Sequence, residues 1–281
     1  MNTILIPTDF SANAMNAVSY AVKFFKYQRC EIYLMHAYAD EVYSDTVAMS
    51  TSDFGNFKAK IEKGVDDSLH NLLGKINEIS PNPRHQYKTL SVFGSLVDST
   101  NDFVEEKNID IVIMGTKGKT NDQKLTFGSH TLQVLKYVQC PVLAIPENFE
   151  YIKPKKIFFP TDYMVPYKKR ELKLLFELAC SYRSEIHFLY LSKFKKLARR
   201  QEENKIFLEG ALQDLTLIFE IIDSEERLET IQRYIEINDI QLLVMVNSRH
   251  SFLESMLYQS TIDQLGLAIK VPFLVMQNLV R

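Results

Sequence analysis

Between Ile111 and Leu135 the chain reads IVIMGTKGKTNDQKLTFGSHTLQVL: an apolar run ending at Met114, three glycines, then a helical pattern opening at Ser129. The glycines stand at Gly115, Gly118 and Gly128, a spacing of G-x2-G-x9-G-S. Glycine tolerates positive φ and lets backbone approach an anion closely. A helix start offers N–H groups without intrahelical partners and the positive end of its dipole. Ser129 and Thr131 add hydroxyl donors. These features together outline a phosphate site. Asp9 closes another apolar run, ILIPTD. With both runs as parallel strands, Asp9 and the glycines share one carboxyl edge of the sheet, where α/β proteins hold ligands. A carboxylate there suits a ribose or adenine donor, and equally a helix cap. Neither a Walker A lysine motif nor the dinucleotide-binding G-x-G-x-x-G occurs.

The elements that must hold these residues are short apolar runs alternating with amphipathic stretches. Strands are expected near 3–7, 31–37, 87–92, 110–114 and 141–145, apolar at nearly every position, as strands covered on both faces are. Helices are expected near 12–26, 56–79, 96–107 and 129–138, with Asp9 or Ser11 capping the first and Ser95 or Gly94 preceding the third. This rhythm predicts a doubly wound parallel sheet. His36 reads as a packed strand residue without chemistry.

The pattern occurs twice. ILIPTDF at Ile4–Phe10 returns as IFFPTDY at Ile157–Tyr163, EIYLMHAY at Glu31–Tyr38 as EIHFLYLS at Glu185–Ser192, and CPVLAI at Cys140–Ile145 as VPFLVM at Val271–Met276. The order is preserved, so the chain is read as two copies of one domain, at 1–147 and 154–281, joined by the proline-bearing linker Pro146–Lys156. Strands of the second copy are expected near 156–160, 185–191, 216–222, 241–246 and 272–276. The offset between copies falls from 153 (Ile4 to Ile157) to 131 (Cys140 to Val271), so the second copy is 22 residues shorter. The loss corresponds to the loop Ala39–Gly55 and part of the helix after it. In ungapped register Gly115, Gly118 and Gly128 fall on Val246, Arg249 and Gln259, and only Ser129 keeps its type, at Ser260. Val246 resists positive φ, and the larger side chains intrude where backbone must meet phosphate. The second domain is therefore expected not to hold a phosphate in the way the first does.

Composition bounds the function. With 33 basic and 35 acidic residues the net charge is −2, and no global field draws the chain to nucleic acid or an anionic membrane. The basic run KFKKLARR, Lys193–Arg200, is followed by QEEN and reads as a solvated helix with paired charges. Three scattered cysteines, Cys30, Cys140 and Cys180, suit a reducing compartment and packing near strand ends rather than disulfides or zinc. No stretch is long and apolar enough for a signal peptide or a membrane span, and a cytoplasmic location is expected.

The glycine spacing with MGTKGKT, together with PTDFS after the first strand and HA at the end of the second, resembles the universal stress protein family, in particular its ATP-binding branch. The resemblance runs through the chain as two successive copies. It implies two tandem copies of a five-stranded parallel-sheet α/β sandwich, adenine nucleotide α-hydrolase-like and Rossmann-like. It implies ATP, with or without Mg2+, as ligand of the first copy. Pro7, Thr8 and Asp9 would border the adenosine, with Asp9 the polar anchor, and the Ala37 backbone would meet the adenine edge. Met114 and Gly115 would lie against ribose and α-phosphate, and Gly118, Gly128, Ser129 and His130 would cradle phosphates. Lys117 and Lys119 could add positive charge on grounds of sign alone. The implied role is an ATP-binding stress-response or regulatory protein with an unidentified protein partner, in which binding orders the Ala39–Gly55 loop. The alternatives are a slow ATPase or nucleotidase and a nucleotide-free scaffold. Family domains pair through their fifth strands, so Val142–Ile145 and Phe273–Met276 are expected to pair within one chain as a pseudo-dimer, with or without a further homodimer.

Overall fold

The computed structural model describes residues 1–45, 51–118, 127–192, 196–224, 226–248, 253 and 269–278. The chain divides into two compact units, one of Met1–Asn121 and Gly128–Asn148, the other of Asp122–Phe127 and Phe149–Arg281.

In the first unit the strands are β1 (Asn2–Pro7), β2 (Cys30–Ala37), β3 (His85–Val92), β4 (Ile111–Gly115) and β5 (Val142–Ile145). Their order is β3-β2-β1-β4-β5, with every pair parallel. Ile4 sits in register between Ile32 and Ile111 at the centre of the sheet. β1, β2, β4 and β5 are buried almost throughout, because helices cover both faces. The helices are α1 (Ala12–Phe24), α2 (Ala39–Asp45), α3 (Thr51–Ile79), α4 (Leu96–Lys107) and α5 (Ser129–Tyr137). Ser11 caps α1 by accepting the Ala14 N–H, and Ser95 caps α4 by accepting that of Asp98. Asp9 is not the cap; its Oδ1 accepts the Ser11 N–H at 3.0 Å, holding the turn before the helix. The chain runs outward from β1 through β2 to β3, then returns to lay β4 on the other side of β1. This reversal opens a crevice above the carboxyl ends of β1 and β4.

The second unit repeats the plan: β6 (Lys156–Thr161), β7 (Glu185–Leu191), β8 (Thr216–Ile222), β9 (Leu242–Asn247) and β10 (Phe273–Gln277), in parallel order β8-β7-β6-β9-β10. Its helices among the described residues are α6 (Lys169–Tyr182), α7 (Arg199–Ala211) and α8 (Arg227–Ile237). Ile157 lies between Ile186 and Leu242, as Ile4 does between Ile32 and Ile111. The repeated PTD turns match in detail. Phe10 N–H donates to Thr8 Oγ1 at 3.1 Å and Tyr163 N–H to Thr161 Oγ1 at 2.9 Å. Phe10 and Tyr163 are both left-handed, at φ 62° and 55°.

Three expectations change. The segment after β2 is not one loop: Ala39–Asp45 forms α2, with Asp40 and Glu41 in its first turn where the helix dipole favours anions, and α3 already begins at Thr51. Among the described glycines none has positive φ, so glycine acts here through the space it leaves. Gly115 ends β4 as Val246 lies within β9, and the contrast between the two is one of size. Finally, Cys30 and Cys140 are buried, but Cys180 is exposed on α6 rather than packed at a strand end.

Candidate functional site

Eleven of the twelve residues expected at the site in the first unit line one cleft of about 250 Å³ above the β1–β4 crevice. The turn after β1 brings Pro7, Thr8 and Asp9 to one wall, and the end of β2 brings Ala37. Met114, Gly115, Lys117 and Gly118 leave the end of β4, and Gly128, Ser129 and His130 open α5. Lys119 lies outside the described residues.

The glycines keep the cleft open in different ways. A Cβ on Gly118 would come 2.9 Å from Asp9 Oδ2, so this glycine lets the loop after β4 and the turn after β1 approach each other. A Cβ on Gly115 would stand 3.1 Å from the Asn13 carbonyl, a backbone atom of α1 that cannot swing aside. Gly128 has more room, with a nearest contact of 3.6 Å. Its N–H donates to the Thr116 carbonyl at 2.8 Å, which closes the loop onto β4. With no side chain at this N-cap, the first turn of α5 receives no side-chain cap. Thr131 is not the free donor the sequence suggested: it is buried, and its hydroxyl donates to the Gly115 carbonyl at 3.0 Å. Ser129 and His130 are exposed at the mouth.

Sequence reasoning left out His36, Asp40 and Glu41, which also line the cleft. His36 is 4% exposed; Nδ1 lies 2.6 Å from the Thr8 carbonyl and Nε2 3.1 Å from Glu41 Oε1. Both ring nitrogens thus face acceptors, and the ring packs on Phe10 with centroids 4.8 Å apart. His36 ties the Asp9 turn to α2. Asp40 Oδ2 reaches His130 Nε2 at 3.4 Å, an exposed pair contributing little to stability. The signal available in the sequence was the ADE run directly after the HA of β2, two carboxylates at a helix start. Among the described residues no group of three His, Cys, Asp or Glu side chains is placed to hold a metal ion.

In the second unit the β9 side of the corresponding place is nearly filled, while the side over β7 stays open. Thr161, Asp162, Met245, Val246 and their neighbours enclose only about 10 Å³. Tyr190 and Leu191 stand where the first unit has His36 and Ala37, and Val246 where it has Gly115. Tyr163 stacks on Tyr190 with centroids 5.6 Å apart. Tyr167 fills the remaining space, its hydroxyl 2.7 Å from Thr161 Oγ1, and burial pushes its ionisation well above the usual tyrosine range. Arg249, Gln259 and Ser260 lie outside the described residues. So do Lys193 to Lys195 of the basic run, of which Arg199 pairs with Glu203 at 3.0 Å along α7. No helix among the described residues is long and apolar enough to cross a membrane.

Comparison with known proteins agrees with this architecture. Residues 1–146 match the model of the Universal stress protein family. The universal stress protein MJ0577 of Methanocaldococcus jannaschii is 27% identical over 154 residues, covering 50% of this chain and 93% of that protein. MJ0531 of the same organism is 26% identical over 158 residues, covering 54% and 83%. The fold is also that of a universal stress protein from Archaeoglobus fulgidus, solved by crystallography, with TM-score 0.71 at 18% identity over 98% of this chain and 96% of that one. With the profile spanning more than half its length, this chain belongs to the universal stress protein family.

Proposed function

We propose that the first unit binds ATP in the cleft above β1 and β4 and that the chain is a nucleotide-binding stress-response protein. The observation that carries this reading is the convergence of Asp9, Gly115, Gly118, Gly128 and the α5 start on one cleft from three separate stretches of sequence. In this reading the Ala37 backbone meets the base, Asp9 the ribose, and the Gly118–His130 side the phosphates. Three carboxylates, Asp9, Asp40 and Glu41, share the cleft with Lys117, which is costly for a bare polyphosphate. A bound Mg2+ would offset that cost. Without a three-residue ligand group among the described residues, the ion would take most of its ligands from phosphate oxygens and water.

Titration calorimetry of the full chain with MgATP is expected to give a stoichiometry near one, because Val246 and Tyr167 fill the second unit's counterpart of the Gly115 side. Two equivalent sites would refute the assignment of the second unit as non-binding, and no heat at all would refute the nucleotide reading. Phosphate release measured on the same sample separates a binding protein from a slow ATPase.

A further inference from the structure

We propose that β8 is a dimerisation strand, through which two copies of the chain join edge to edge, antiparallel and two-fold symmetric about Phe219. Within the second unit β8 stands at the edge of the sheet, as β3 does in the first. The Ser192 N–H donates to the Ile222 carbonyl, which fixes the phase of the ladder between β7 and β8. Ile218, Glu220 and Ile222 therefore bond to β7, and Leu217, Phe219 and Ile221 turn their N–H and C=O groups outward. Among the described residues nothing pairs with those outward groups.

The two edges differ at equivalent places. The match of Ala37 with Leu191, carried through the register of each strand pair, aligns Tyr87 with Leu217, Thr89 with Phe219 and Ser91 with Ile221. β3 also carries Lys88, paired with Glu31, and packs against the 29-residue α3. Charge, polar residues and a covering helix keep a sheet edge from pairing. β8 reads TLIFEII, apolar with one charge and without Pro or Gly, and α7, in the place of α3, has 13 residues. Ile221 is 55% exposed. A strand of this composition left at an edge is a template for another strand.

β8 is also complementary to itself. Antiparallel pairing about Phe219 sets Phe219 against its own copy and Leu217 against Ile221 of the second copy. The outward groups of all three residues then meet outward groups, and each cross-strand pair on that face is apolar. The Phe219 ring is preset by stacking on Phe188, with centroids 5.1 Å apart and planes 11° apart. An axis through Ile218 instead would set Ile221 against Leu215, outside the strand. Glu220, the one charge, faces Ile218 of the second copy rather than a like charge directly, and on its own chain it accepts the Tyr234 hydroxyl. A two-fold contact requires one surface to match itself, and β8 meets that condition, so the occupant is a second copy of this chain. This inference is independent of whether the first unit binds ATP.

Sedimentation velocity of the full chain from about 1 to 100 μM is expected to show a monomer–dimer equilibrium. Ile221→Lys places a charge in the outer edge and should weaken the dimer at least about tenfold, whereas Ser91→Lys, at the matching place of β3, should leave it unchanged. Unchanged circular dichroism would show that both variants are folded. Amide exchange followed by NMR on the unmodified chain decides even if Ile221→Lys unfolds. The Phe219 and Ile221 amides should exchange more slowly as concentration rises, while those of Ile218 and Glu220, already bonded to β7, should be slow throughout. A chain that stays monomeric over the whole range overturns the proposal. So does a dimer of equal strength in folded Ile221→Lys, or exchange at Phe219 and Ile221 that does not depend on concentration.

Discussion

Gly118 and Gly128 are both expected to be intolerant of valine, for different reasons. At Gly118 a new Cβ meets a carboxylate oxygen of Asp9, a side-chain atom that can rotate at the expense of its turn. At Gly128 the Cβ meets only ordinary contacts, so the fold has no reason to suffer. Gly128→Val is therefore the cleaner probe. It should keep native circular dichroism and melting while reducing ATP affinity at least about tenfold; unchanged affinity would remove Gly128 from the phosphate side. The glycine spacing was legible in the sequence because it records where backbone must come close. His36 was not, since its role depends on the β1–β2 register that sets its ring against the Thr8 carbonyl, 28 positions away. Nor was the commitment of the Thr131 hydroxyl to Gly115, which needs the loop to close first.

At the scale of the elements, periodicity and capping chemistry placed every strand of both units to within two residues, because buried parallel strands are near-continuous apolar runs. α2 escaped because seven residues with a polar first turn carry too little periodicity to register, and so short a helix depends on its surroundings. Ser95→Ala should cost about 1 kcal/mol in urea unfolding, since Ser95 Oγ both accepts the Asp98 N–H and donates to its carboxylate at 2.7 Å. α6 carries a pH signature. Glu171 is buried, with Oε2 accepting the Lys168 N–H at 3.2 Å, and burial raises its carboxyl above the usual range. A raised folded value means that the native state holds this proton more tightly than the unfolded chain. Stability from this group is present at low pH and is lost as pH rises through the ordinary glutamate range and on through the folded value. Glu171→Gln keeps an acceptor for Lys168 and should flatten that decline. An identical pH–stability curve for the variant would show that Glu171 does not contribute to it.

On the scale of the whole chain, the duplication was readable because both copies keep the same strand order and the same PTD turn. What filled the second cleft was less so: Val246 was visible, but the inward turn of Tyr167 onto Thr161 depends on a segment with no matching signal in the first copy. The expected pairing of the two fifth strands remains a proposal from sequence, and it has a direct test. Met1–Asn148 expressed alone should self-associate through Val142–Ile145 if that strand needs a partner. A fragment that stays monomeric and fully stable at high concentration would dispose of the idea.

The placement of the three thiols makes the chain its own reporter of opening. Cys30 and Cys140 are buried in the first unit, and burial pushes them up to about 11 and about 12, so they are protected from alkylation both by access and by the scarcity of thiolate. Cys180, on α6 of the second unit, is exposed. Under a pulse of iodoacetamide, Cys180 should be modified first, while the other two should react only as often as the first unit transiently unfolds. The slow phase then measures the opening free energy of that unit in native buffer, without denaturant. A ligand seated in the first cleft would lengthen it by the factor by which binding outweighs opening, and one confined to the second unit would leave it unchanged.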